Sequence, residues 1–70
     1  MIRFNPGQLR LARRNNKLKL IDVANLLLFK TPASVANREN GLTSTTADDL
    51  AAFANLYNVP VQYFFIDDVE

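Results

Sequence analysis

A chain of 70 residues holds one domain at most and lies near the lower limit for folding without disulfides or metals. It has no cysteine and no histidine, which excludes disulfides, thiol chemistry and the usual zinc ligand sets and removes the two commonest nucleophile and base types. The net charge of +1 hides an asymmetry: residues 1–38 carry all eight Lys and Arg against Asp22 alone, a net +7, whereas residues 39–70 carry six acids and no base, a net −6.

The basic end of such a dipole favours an anionic partner, unless the two halves simply neutralise each other in the fold. A hydrophobic content of 49% argues for a folded chain. No apolar run approaches the roughly 20 residues of a membrane span. The start "MIRFNPGQLR" has no apolar signal-peptide core. The expectation is a soluble, cytoplasmic domain over 1–70, with its core at about 4–66 and an acidic tail at 67–70.

The first helix opens at Asn5-Pro6, a capping residue followed by proline in the first turn. Leu9, Ala12, Arg13 and Asn16 share a face with Leu11 beside it, and Asn15-Asn16 ends the helix. Leu20, Val23, Ala24 and Leu27 predict a second helix over 20–28. Lys19 stands where a capping side chain is wanted, and Asp22 in the first turn partly offsets this through the helix dipole. A third, over about 32–40, is bracketed by Thr31-Pro32 and Asn40-Gly41; Val35 is its one clear inward knob. The fourth starts at Thr45 or Thr46, since Thr45…Asp48 and Thr46…Asp49 both resemble capping boxes. It turns Leu50, Phe53, Ala54 and Tyr57 inward and stops at Asn58. A last short helix over 61–66 carries Phe64 and Phe65, with an edge strand in "VPVQYFFI" as the alternative. The fold class is all-α, a compact bundle of five short helices.

Short second and third helices joined by a tight turn describe a helix-turn-helix. A major groove admits one α-helix if its outer face is slim and polar, and Ala33, Ser34, Ala36 and Asn37 make such a face. Four stretches then resemble the phage repressor and Cro-like (Xre-type) helix-turn-helix domains. "LRLARRNNKLKL" is similar to that family's first helix and turn, and "DVANLL" to its second helix. "TPASVANRENG" is similar to its recognition helix, and "LAAFANLYNVPVQYFF" to its last two helices. The resemblance covers 4–66 and implies a lambda-repressor-like bundle that binds double-stranded DNA as a homodimer and regulates transcription.

It also implies roles at matching positions. Arg13 and Glu39 fall where the family commonly has an ion pair tying the first helix to the recognition helix. Ala33, Ser34 and Asn37 fall on base-facing positions. Asn40, Thr43 and Ser44 fall where the sugar-phosphate backbone is touched, as do Lys19 and Leu20 at the head of the second helix. Arg10, Arg14, Lys17, Lys30 and Thr31 add attraction for phosphate. Three departures from the family pattern stand out. One extra residue lies between Ala24 and Glu39, and "LLLFKT" stands where a turn glycine is common, so the turn is remodelled or the second helix extended. Arg38 replaces a usually apolar residue, and either reaches a phosphate or marks a loosened helix. Pro32 and Ala33 replace long polar residues, which leaves readout to few side chains, to DNA shape or to thymine methyls.

The competing function is a protein–protein module on the same fold, antitoxin-like or a phage regulatory partner, suggested by the thin reading face and the aromatic C-terminus. An enzyme is not expected: Ser34 has no partner base by spacing, and no acid pair converges. No cofactor or metal is expected.

Overall fold

The computed structural model describes residues 2–67; of the acidic tail expected at 67–70, residues 68–70 lie outside the described residues. Element order is β1 (Ile2–Phe4), α1 (Gly7–Asn15), α2 (Leu20–Leu26), α3 (Pro32–Glu39), α4 (Ala47–Tyr57), a 3₁₀ turn (Val61–Phe64) and β2 (Phe65–Asp67). The described chain is therefore mostly helical, with four α-helices and a two-stranded antiparallel ribbon. The expected fifth helix is one 3₁₀ turn. Its continuation is instead a strand, in register Ile2↔Asp67, Arg3↔Ile66 and Phe4↔Phe65. Phe65 meets its ribbon partner Phe4 edge to face at 5.9 Å, and both rings pack against the bundle core.

Each helix starts on local chemistry. Asn5 Oδ1 accepts from the Gly7 N–H at 3.1 Å, and Pro6 supplies a backbone already in helical conformation. At α2 the Asp22 carboxylate accepts from the Lys19 N–H at 2.9 Å. The Lys19 ammonium has no lone pair to return, so this is half a capping box. At α4 the choice falls on Thr46, whose Oγ1 accepts from the Asp49 N–H at 3.1 Å.

All four helices end by the same device, a residue in the left-handed region followed by a hydrogen bond back into the last turn. The left-handed residues are Lys17, Leu28, Gly41 and Asn58, at φ 58°, 62°, 76° and 58°. The returning bonds are Leu18 N–H to Arg13 O (3.2 Å), Phe29 to Ala24 (2.8 Å), Leu42 to Asn37 (2.8 Å) and Val59 to Ala54 (3.1 Å). The second helix thus stops at Leu26 and is not extended. The turn is remodelled, with Leu28 as its left-handed residue.

The core is Leu9 and Ala12 of α1, Val23 and Ala24 of α2, Val35 of α3, Phe53, Ala54 and Tyr57 of α4, and Phe64. Leu11, beside the inward face of α1, is exposed. Phe29, in the connection between α2 and α3, stacks on Phe53 at 6.0 Å, and Phe53 stacks on Tyr57 at 5.9 Å. This aromatic column fills the space under the turn and fixes where α3 sits.

Candidate nucleic-acid interface

The recognition helix is clamped from its buried side. Glu39 is 4% exposed, the single buried charged residue among those described. Arg13 Nε donates to Glu39 Oε2 at 2.7 Å and Arg13 Nη2 to Oε1 at 3.2 Å, a bidentate pair between α1 and α3. Arg13 Nη1 donates to the Leu18 carbonyl at 3.0 Å, so the same guanidinium also holds the turn after α1. The hydrogen bond to Glu39 holds the Arg13 guanidinium above its ordinary range. Arg10 joins from the next turn: its Nε lies 3.5 Å from Glu39 Oε1, and its Nη2 donates to Asn40 Oδ1. Val35 at 0% exposure is the apolar half of the clamp.

Arg38 corrects the sequence reading. The sequence makes it a candidate for a phosphate, yet the fold turns it inward. Its Nε donates to Asp49 Oδ2 at 3.2 Å, its Nη1 to the Ser34 carbonyl at 2.8 Å, and its guanidinium lies 4.4 Å above the Phe29 ring. The physical reason is the company it finds: an aromatic face below and the helix-capping carboxylate of α4 beside it. An apolar side chain is replaced by a cation that stacks on Phe29, and α3 is seated, not loosened.

With Val35, Glu39 and Arg38 facing in, the outer face of α3 is Ala33, which is exposed, with Ser34, Ala36 and Asn37 half-buried. The Ser34 Oγ lies 3.4 Å from the Thr31 Oγ1. The Asn37 carboxamide makes no hydrogen bond to the described residues, although its main-chain carbonyl accepts from Leu42. Lys30 and Thr31, both exposed, precede the helix; exposed Asn40, Thr43 and Ser44 follow it. Arg14, Lys17 and Lys19 are exposed, while Leu20 is half-buried at the head of α2. The Asp22 carboxylate already takes the Lys19 N–H there, which puts negative charge at one expected phosphate position.

The structure thus joins Arg13 with Glu39 and Arg10 with Asn40, and sets Lys30 and Arg10 at opposite ends of α3. Sequence reading missed Phe29, which bears no motif, and the second role of Asp49: the capping box marks it as a helix start, not as the partner of Arg38 eleven residues away. Away from α3, an apolar cleft of about 420 Å³ is lined by Ile2, Val61, Gln62, Phe65 and Ile66. Among the described residues no helix is long and apolar enough to cross a membrane.

Two short helices joined by an aromatic-plugged turn, the second clamped on one side and slim on the other, define a helix-turn-helix. The family model described as "Helix-turn-helix" matches residues 9–64, most of the chain. The protein belongs to that family, in its Xre/Cro-like form, and is in general terms a DNA-binding regulator. No curated protein and no solved structure matches it.

Proposed function

We propose that the protein is a sequence-specific transcriptional regulator that inserts α3 into the major groove of double-stranded DNA and acts as a homodimer. The observation that carries this reading is the two-sidedness of α3. Val35, Arg38 and Glu39 fix it from inside, while Ala33 and Asn37 leave an outer face narrow enough for a groove. Ala33 and Asn37 are the central base-facing residues, with Ser34 at the margin. Arg14, Lys17, Lys19 and Lys30 meet phosphates, and Thr31, Asn40, Thr43, Ser44 and the Leu20 N–H complete the backbone contacts. Arg10 holds Asn40 in place for its share. A face this small reads few base pairs, so a second copy on a two-fold symmetric site doubles the readout. Exposed Ile2 and Val61 beside the apolar cleft are surface that such a copy would cover.

A salt-titrated binding assay tests the reading. Those four side chains, Arg14, Lys17, Lys19 and Lys30, on phosphates give a slope of log K against log salt of about −3 to −4 per chain. A slope near zero on every duplex would sink it.

A further inference from the structure

We infer that α3 reads A·T pairs, through the adenine edge and the thymine C5-methyl, and makes no guanine contact of its own. The inference rests on the groove reading above and specifies its target. Guanine is read in the major groove chiefly by an Arg or Lys donating to O6 and N7, adenine by an Asn or Gln at N6 and N7, and thymine by apolar contact with its methyl. The one cation within α3 is Arg38, and it is committed inward to Asp49, the Ser34 carbonyl and the Phe29 ring. What remains outward is the Asn37 carboxamide, which has both donor and acceptor to give, and the Ala33 methyl. Positions 33 and 37 lie one above the other on the helix surface, about 6 Å apart along the axis. That spans about two base-pair steps at 3.4 Å each. An adenine under Asn37 and a thymine methyl against Ala33 are what these two side chains are chemically able to recognise. Ser34, whose hydroxyl lies by Thr31, adds no strong preference, because a single hydroxyl suits several bases.

The experiment begins with selection of duplexes by the full chain from a randomised pool. Each thymine of the selected core is then replaced singly by deoxyuridine, which removes one methyl and leaves pairing intact. The selected core should be A·T-rich. One uracil replacement per half-site should weaken binding about fourfold, the worth of one buried methyl. Asn37→Ala should lower the preference for adenine at one position about tenfold. Ala33→Gly should make the uracil swap silent; since glycine also weakens the helix, the swap on the DNA, which leaves the protein untouched, carries the test. A core with an obligatory guanine, or uracil substitutions without effect on a selected sequence, would overturn the inference and leave groove binding standing. Salt-dependent binding with no sequence enriched overturns it equally. If nothing is enriched and affinity is independent of salt, the DNA-binding reading itself fails.

Discussion

The clamp between α1 and α3 makes the sharpest claim about energetics. Glu39 is buried, and its carboxylate depends on Arg13 at 2.7 and 3.2 Å, with Arg10 only at 3.5 Å. Arg13→Ala therefore strands a buried charge. Losing one partner of a buried pair costs about 3–5 kcal/mol. Arg10 can move in as a substitute, and the Arg13 side chain is 12% exposed, so the lower end applies. A loss of about 3 kcal/mol is expected, a large share of the roughly 3.5–10 kcal/mol total for a chain of this size. Glu39→Ala leaves Arg13 with the Leu18 carbonyl and a route to water, so it should cost less, about 1–2 kcal/mol. The double variant should be no worse than Arg13→Ala alone, because the stranded charge has gone with its partner. Urea unfolding of all four proteins, followed by circular dichroism at low temperature, gives the coupling energy directly. We expect about 1–2 kcal/mol of coupling and the order Arg13→Ala worse than Glu39→Ala. Additive losses, or Glu39→Ala as the more damaging change, would refute the argument from burial.

Leu28 holds φ +62° while 89% exposed, so Leu28→Gly should remove steric strain without loss of packing and raise stability by about 0.5–1 kcal/mol, a few degrees in Tm by calorimetry. The Tyr57 hydroxyl is buried without a hydrogen-bond partner among the described residues, and burial, with Glu39 nearby, raises its pKa well above the ordinary value of about 10. Folding thus favours the neutral phenol: its contribution is fully present below pH about 10 and is lost as pH rises and the unfolded chain ionises. Tyr57→Phe should be neutral to stabilising by up to about 1 kcal/mol in urea titrations at neutral pH and should flatten the alkaline fall in stability. Arg38→Ala removes an ion pair and a cation–aromatic contact and should cost about 1–2 kcal/mol of stability, yet leave the salt slope of DNA binding unchanged in electrophoretic retardation assays. Arg14→Ala should do the reverse, preserving stability and reducing that slope by about 0.9 per chain.

The helices were legible in the chain wherever local chemistry decides them. Apolar spacing placed Leu9, Ala12, Val23, Ala24, Val35, Phe53 and Tyr57 in the core, and Asn5-Pro6, Thr31-Pro32 and Thr46 marked true starts. The end of α2 was not legible, because its left-handed residue is a leucine and carries no signal of glycine or asparagine. The ribbon was half legible: an edge strand in "VPVQYFFI" stood as the alternative to the last helix, but β1 gave no sign, because strands of three residues are too short to show alternation. The inward turn of Arg38 depends on Asp49 eleven residues away and on Phe29 across the turn, and no spacing rule contains such contacts. The outer face of α3 was visible as composition. That its arginine is withdrawn from it was visible only in three dimensions.

Entry of α3 into the groove is open to a direct test, the mapping of amide chemical-shift changes as duplex DNA is added to the isotope-labelled chain. The largest changes are expected over 30–44 and at Lys19 and Leu20, with residues around the apolar cleft moving little. Changes centred on Ile2 and 61–66 with 30–44 undisturbed would contradict it.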